Sequence, residues 1–318
     1  MQLTTRSRRR DRYVIGIDGG ASKTIAILGV ADGRVLGRGQ GGSSNYQNVG
    51  TTRVIYSIRR AVREARQQAA IGRRKAEIAV VALAGVDSPK DERAAKRFVR
   101  KTNIARRTFV VHDSIAYLQS AFGNEPGIMV ESGTGCVAAG INSTGRYVRV
   151  GGWGALFDDH GSGYDIGRRA LNAAFRAADG RGPRTKLVPA IKRKFRLKNL
   201  EDLVYIIYAT GLTVDETASL AHLVSKAAPS DEVSRNILQS AGTTLGELAC
   251  VVAKRLNMNR NHVKVATVGG VFNAGKYLTR AFKERVKQEC PQAEIVKPRI
   301  EPAFGAFSLA LQKANLKE

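Results

Sequence analysis

Cysteine is scarce in this sequence: Cys136, Cys250 and Cys290 are the only three in 318 residues. No two of them stand in a CxxC pair or at the spacing of a zinc or iron-sulfur set, so structural disulfides are not expected and a cytoplasmic location is. Histidine is nearly as sparse, with four copies, and aromatic residues make up 6% of the chain. Acidic residues are few as well, 27 against 52 Lys and Arg. No apolar run approaches the roughly 20 residues that a bilayer-spanning helix needs, so a membrane is not an expected partner. The opening segment MQLTTRSRRRDR has neither the apolar stretch nor the small-residue cleavage site of a secretory signal. Residues 1–12 read as a flexible basic extension.

The basic surplus gives a net charge of +25, a field that draws anions. Its residues are spread through helix-like segments such as RRAVREARQQ, RRKAE and KRKFRLK, without aromatics interleaved on a strand platform. They read as solvated surface, so small anionic substrates are expected as partners and nucleic acid is not. The length suits two domains of ordinary size, each burying its own core.

Tyr13 to Arg38 reads as apolar run, Gly-rich turn, run, Asp32-Gly33 turn and run. A helix is predicted from about Thr52 to Ala70, then a buried strand in EIAVVALAG. A second helix follows, with Ser88 as N-cap, Pro89 in its first turn and Asp91 behind it. FVVHD is a strand that runs directly into the helix SIAYLQSAFG. The layout then restarts: GIMVESGTGCVAAGINSTGRYVRVGG repeats the opening pattern, with Asp18 aligned to Glu131 and Gly33 to Gly145, one residue of slippage apart. Such a repeat predicts a duplicated domain, one copy over 13–119 and one over 120–318. The second carries a helical part at about 164–256 with a basic linker near GRGPRTK, and strands return at VKVATVGGVFNAG. The amphipathic helix at about 302–316 is expected to pack back on the first copy.

Five motifs carry chemistry. In IDGGASKT, Gly19 and Gly20 let backbone approach a polyphosphate, Ser22 and Thr24 offer hydroxyl donors, Lys23 offers counter-charge, and Asp18 suits a hydrated Mg2+. An ordinary hairpin turn reads equally from that motif alone. ESGTGC sets Gly133, Thr134 and Gly135 at the equivalent place of the second copy. In VVHDS, Asp113 fits either a helix N-cap or a base that accepts a hydroxyl proton at a strand's carboxyl end. GGWGALFDDHGSGY groups Gly151, Gly152, Trp153, Asp159 and His160 in a loop able to bond sugar hydroxyls. Asn45, in GGSSNYQNVG, has the donor and acceptor pair that a sugar hydroxyl wants, or lies in a plain surface turn.

This ordered set resembles the N-acetylglucosamine kinase and BadF/BadG/BcrA/BcrD ATPase family of the actin, sugar-kinase and Hsp70 superfamily, and looks in particular like its archaeal ATP-dependent hexokinases. The resemblance runs from about Tyr13 to Leu311. It implies an α/β fold of two ribonuclease H-like (actin-like ATPase) domains with an interdomain cleft and a helical insertion in the second, acting as a homodimer with ATP and Mg2+ as cofactors. It further implies phosphate contacts from Gly19, Gly20, Ser22, Lys23, Thr24, Gly133, Thr134 and Gly135, and metal binding through water at Asp18. Adenosine would lie on Gly269, Gly270 and Asn273 of VGGVFNAG. The sugar would meet Asn45, Asp113, Gly151, Gly152 and Asp159, with Asp113 as the catalytic base toward a 6-hydroxyl. The sequence departs from the family pattern at Ala21, Glu131, Cys136 and His160. Two other readings stand beside the kinase: an ATPase activator of a dehydratase or reductase, which needs closely placed cysteines, and a non-enzymatic sugar-sensing or nucleic-acid-binding regulator, motivated by the charge.

Overall fold

The computed structural model of the chain describes residues 12–298 and 300–316. These form two compact units, the first taking the chain up to Asn124 together with the C-terminal segment, the second running from Glu125 to Pro298. The division falls after the expected 119/120 because the helix opened by Asp113 continues to Phe122. Most of the expected basic extension, residues 1–11, lies outside the described residues. Arg12 does not belong to a frayed segment. Its guanidinium donates to Glu77 at 2.6 and 2.7 Å and to the Ala314 carbonyl at 2.9 Å.

The first unit is built on strands β1 (Tyr13–Gly19), β2 (Thr24–Val30), β3 (Val35–Gly41), β4 (Ala76–Leu83) and β5 (Ala105–His112), in the order β3-β2-β1-β4-β5. β1, β2 and β3 form an antiparallel meander, and β4 and β5 run parallel to β1. Every residue of β1 and β2 is buried. Covered on both faces, these strands have no polar side to alternate, so they read as continuous apolar runs. Helices α1 (Tyr46–Gln68) and α2 (Pro89–Arg100) cover one face, where Val54, Ile58 and Phe98 meet Ile15, Ile17 and Leu28. The start of α2 follows its sequence signature: Ser88 Oγ accepts from Asp91 N–H at 3.2 Å, and Pro89 takes the first turn, where its missing N–H costs nothing.

The opposite face takes α3 (Asp113–Phe122) and the C-terminal helix Pro302–Asn315, whose Phe307 and Ala310 pack on Val14, Ile25 and Ile27. α1 begins six residues before the expected Thr52, at a cap supplied by Asn45.

The second unit repeats the plan. β6 (Gly127–Ser132), β7 (Cys136–Ile141), β8 (Tyr147–Gly151), β9 (Val263–Val268) and β10 (Ala293–Val296) lie in the order β10-β9-β6-β7-β8, again with a three-strand antiparallel meander and two strands parallel to its first. Where the first unit joins β3 to β4 through α1, the second places α4 (Gly163–Ala178), α5 (Leu187–Phe195), α6 (Asp202–Thr210), α7 (Val214–Ser219), α8 (Ala221–Ala227) and α9 (Glu232–Arg255). α10 (Lys276–Glu289) joins β9 to β10. Ile128, Val130, Ile166, Leu245 and Phe282 meet in one core. No described helix is long and apolar enough to cross a membrane.

Gly16, in the middle of β1, is where the C-terminal helix touches the sheet most closely: a Cβ there would lie 2.0 Å from the Phe307 backbone nitrogen. Backbone cannot rotate aside as a side chain can, so the whole helix would have to lift. Gly16→Ala is expected to lower stability by about 1–3 kcal/mol, read as a lower urea midpoint. An unchanged midpoint would mean that the helix is not seated on β1.

Candidate active site

In the first unit three adjacent parallel strands, β1, β4 and β5, end side by side, and their carboxyl ends carry the expected chemistry. β1 ends in Asp18 and Gly19. The turn that follows is closed by Gly20 N–H donating to the Lys23 carbonyl at 3.0 Å. It is tied to its surroundings by Ser44 N–H on the Gly20 carbonyl and Ala84 N–H on the Gly19 carbonyl, each at 3.0 Å. Ser22 and Lys23 are exposed at its tip. Thr24 is a correction to the expected phosphate set. Its side chain is fully buried, its hydroxyl donates to the Gly42 carbonyl at 2.6 Å, and it shares a further hydrogen bond with Ser44 Oγ. A proton committed in this way fastens the neighbouring loop and is not available to a phosphate.

Asp18 is buried, and its Oδ1 has no hydrogen-bond partner. An unpaired carboxylate out of water is costly, and its proton is retained as a result. Burial first, then the nearby charge of Asp113, push Asp18 up to about 7, with Lys23 opposing and Glu301 adding to the rise. Such an orphaned oxygen fits what a hydrated Mg2+ requires: a hard oxygen ligand with its lone pairs free. Ser43 Oγ, in the loop tied to the turn, is a second buried atom without a partner.

Asp113 opens α3 and is buried. The N-cap role weighed for it belongs to His112, whose ring accepts from Ser114 N–H at 3.1 Å. Asp113 Oδ1 accepts from the same N–H at 2.7 Å and lies 2.8 Å from His112 Nδ1. His112 Nε2 lies 3.2 Å from Asp87 Oδ1. With Nδ1 accepting from Ser114 N–H, the ring proton lies on Nε2 and is donated to Asp87. Neither His112 nor Asp87 was singled out from the sequence. The signal was the His adjoining the strand-terminal Asp in VVHDS.

Asn45 joins this group through the end of β4. Its Oδ1 accepts from Gln47 N–H at 3.1 Å, capping α1, and a Cβ on Gly85, two residues past β4, would come within 3.0 Å of that oxygen. The Nδ2 group has no hydrogen bond among the described residues. Asp18, Gly19, Gly20, Asn45 and Asp113 are thus brought to one edge of one sheet.

The second unit assembles the other expected set. Its turn after β6 is closed by Gly133 N–H on the Gly135 carbonyl at 2.9 Å, and held by Gly163 N–H on the Gly133 carbonyl at 2.8 Å. The Thr134 hydroxyl donates to Asp215 at 3.0 Å. Gly269, at φ 98°, lies against the β6 end: a Cβ there would fall 2.2 Å from the Ser132 carbonyl oxygen, so only glycine lets VGGVFNAG reach the turn. Val271 and Phe272 are buried, anchoring that segment through a T-shaped contact between Phe272 and Phe282 at 5.2 Å, while Asn273 is exposed.

Asp159, expected among sugar contacts, sits beneath this turn. It is buried, with φ at 59°, and its Oδ1 accepts from Cys136 N–H at 3.1 Å. A Cβ on Gly135 would lie 2.8 Å from its Oδ2. One of its oxygens therefore supports the second turn. Gly151 and Gly152 also take positive φ, 77° and 73°, and lie beside Val137 of β7. Trp153 is 66% exposed with the Arg149 guanidinium 4.9 Å from its ring centre. His160 is exposed and 3.7 Å from Asp165, a buried carboxylate the sequence reading passed over; Asp165 accepts from Gly161 N–H at 3.1 Å. Its signal was Ser162 three residues earlier, whose Oγ accepts from Asp165 N–H at 3.1 Å as an N-cap.

Two units of this topology, each ending its first strand in a glycine turn, define an actin-like ATPase fold. The chain matches the BadF/BadG/BcrA/BcrD ATPase family over residues 15–310 and belongs to it. It is 34% identical over 305 residues, 96% of this chain and 100% of the relative, to an N-acetylmuramic acid/N-acetylglucosamine kinase of Clostridium acetobutylicum. It is 31% identical over 310 residues, 93% of this chain and 97% of the relative, to an N-acetyl-D-glucosamine kinase of Dictyostelium discoideum. Among solved structures it resembles a candidate N-acetylglucosamine kinase from Chromobacterium violaceum, at a TM-score of 0.80 and 29% identity, covering 95% of this chain and 99% of that one.

The raised proton affinity of Asp18 has a measurable consequence. Below the ordinary carboxylate range the group is protonated whether the chain is folded or not, and stability is unaffected. As pH rises toward 7 the unfolded chain releases that proton and the folded chain does not, so stability falls. With about 1.4 kcal/mol per pH unit, the loss reaches at most roughly 4 kcal/mol. Asp18→Asn is expected to remove this loss in the metal-free, nucleotide-free chain, giving a higher urea midpoint than the parent at pH 8 and an equal one at pH 4. Parallel pH profiles would refute the assignment.

Proposed function

We propose that this chain is an ATP-dependent sugar kinase that transfers the γ-phosphoryl group of ATP to the 6-hydroxyl of an N-acetylated amino sugar. The observation that carries the reading is the pair of buried carboxylates, Asp18 and Asp113, at the carboxyl ends of β1 and β5 on either side of β4, one with an unbonded oxygen and the other held by Ser114 N–H. Phosphoryl transfer from a metal-bound nucleotide needs a group that acts on the attacking hydroxyl and a separate anionic anchor for the metal, and these two groups suit that division; a sugar rather than water as acceptor is supported by the names of the relatives. The names borne by the relatives support an N-acetylated amino sugar as acceptor, and a cytoplasmic location, where ATP is available, goes with it.

Asp113 accepts the hydroxyl proton as the new O–P bond forms and the bond to the β-phosphate bridging oxygen breaks. Ser114 N–H fixes the carboxylate through Oδ1, so that one oxygen stays directed while the other works. Asn45, its Oδ1 committed to the helix cap, offers Nδ2 to a sugar oxygen. In the first unit Ser22 and Lys23 offer hydroxyl and ammonium donors to phosphate oxygens, and Gly19 and Gly20 let backbone come close. The second unit's turn, taken by itself, offers the backbone N–H groups of Thr134 and Gly135, while Gly133 closes the turn. Gly269 and Gly270 offer bare backbone for the adenosine. Asp18 would hold the Mg2+ through its water shell, and the metal, when bound, neutralises charge growing on the β- and γ-phosphates.

The activator reading requires cysteines able to share a cluster. Cys136, Cys250 and Cys290 are all buried, and burial with the nearby Asp159 raises the Cys136 thiol further from ionisation.

Asp113→Asn is expected to lower sugar-dependent ADP release by at least about a thousandfold, combining loss of the base with loss of orientation, while ATP binding stays within twofold by calorimetry. Normal turnover in the variant would overturn the assignment of Asp113. A panel of N-acetylglucosamine, N-acetylmuramic acid, glucosamine, glucose and mannose tests the acceptor. A higher kcat/KM for glucose than for either N-acetyl sugar would overturn that part.

A further inference from the structure

The basic residues around the GRGPRTK linker are not absorbed by the catalytic reading, and the fold gives them a common place. In the second unit a cavity of about 350 Å³ is walled by Arg168, Arg169, Asn172 and Arg176 of α4 on one side and by Val233 and Ile237 of α9 on the other. Arg168, Asn172 and Arg176 are spaced four residues apart, so they form one stripe along the helix. Arg168 and Arg169 share a single carboxylate, Asp165, at 3.1 and 3.8 Å. Arg176 makes no direct ion pair among the described residues, although the charge of Asp179 is near; its guanidinium donates to the Arg181 carbonyl at 3.1 Å, which fixes the head group beside the cavity. Three guanidiniums thus face two carboxylates, Asp165 and Asp179, and with one Arg169 N–H given to Ser240 each retains unused N–H donors.

We propose that this cavity is a binding site for a small organic phosphate, separate from the catalytic groups. Guanidinium is the side chain whose planar fork matches phosphate oxygens two at a time, and three of them with an adjacent amide can surround a dianionic monoester. The apolar wall of Val233 and Ile237 takes the carbon skeleton, which a free inorganic ion would leave uncovered. The volume lies at the small end of ligand sites. A nucleic-acid strand would instead need an extended groove with stacking aromatics, and no aromatic lines this cavity.

Calorimetric titration of the full chain with glucose 6-phosphate tests the site, because it presents a phosphate monoester on a compact skeleton. Binding is expected to weaken at least tenfold in Arg176→Glu, and as much in Asn172→Leu, which keeps the charge and would serve should the first variant fold poorly. Lys23→Ala, which alters the catalytic turn, is expected to leave this binding within twofold. Absence of binding at millimolar concentration in the parent, equal binding in the cavity variants, or loss in Lys23→Ala alone would each overturn the proposal. Displacement of glucose 6-phosphate by a short single-stranded oligonucleotide, abolished in Arg176→Glu, would overturn it in favour of a nucleic-acid surface. Inorganic phosphate binding as tightly as the ester would also overturn it, since the apolar wall would then contribute nothing.

Discussion

A carboxylate held out of water with one oxygen unbonded constrains the first unit more than any other single feature. Asp18 stands at the end of a strand buried throughout, so its environment is set by the sheet and not by a flexible loop. Each neighbour follows from that. Gly19 carries no side chain because Leu83 of the adjoining strand occupies the space. Thr24 turns its hydroxyl away to hold the loop bearing Ser43, Ser44 and Asn45. Asp113 arrives at the same edge because β5 is parallel to β4 and β4 to β1. Burial and the charge of Asp113 hold the proton on Asp18, and an incoming cation would favour its release.

The second unit reproduces the strand order but not the electrostatics. Glu131 occupies the position of Asp18 in the repeat, yet it is only partly buried, and the fully buried acid beneath the second turn is Asp159, brought from the loop after β8. Asp159 adopts a left-handed conformation that a non-glycine residue takes at a cost. The Cys136 N–H bond and the packing on Gly135 hold it there. One carboxylate oxygen is thereby given to backbone. Duplication supplied one backbone device twice, and side-chain chemistry then divided the labour: acids able to act on a proton or a metal in the first unit, neutral donors in the second.

The duplication was legible because it is written in continuous apolar runs punctuated by glycine, and strands that are buried on both faces leave that trace wherever they occur. Ser88-Pro89 and Asp113 were legible for similar reasons, since caps and strand ends are local. What escaped needed neighbours from elsewhere in the chain. Thr24 looked like a phosphate donor until Gly42 and Ser44, about twenty residues on, claimed its hydroxyl. Asp159 reads as a loop acid open to a sugar, with no local sign that Cys136 N–H takes one of its oxygens. His112 was passed over because a histidine beside an aspartate says little until Asp87 is known to lie across its other nitrogen. The arginine stripe on α4 looked like a solvated helix face, and only the packing of α9 against it encloses a cavity.

The cap made by Asn45 narrows what the acceptor site can recognise. A free asparagine amide offers both a donor and an acceptor, and can pair with a hydroxyl in either sense. Here Oδ1 is taken by Gln47 N–H, and the rotamer is fixed by the helix it starts. Only Nδ2 remains, so on the proposed reading the residue calls for an oxygen with a lone pair directed at it. A ring hydroxyl meets that requirement in any hexose, so Asn45 alone distinguishes the sugars little. Discrimination must then come from groups that reject a missing partner, because a buried polar atom left unpaired costs more than an added contact gains. Ser43 Oγ, buried and unbonded in the same loop, is an atom with that property.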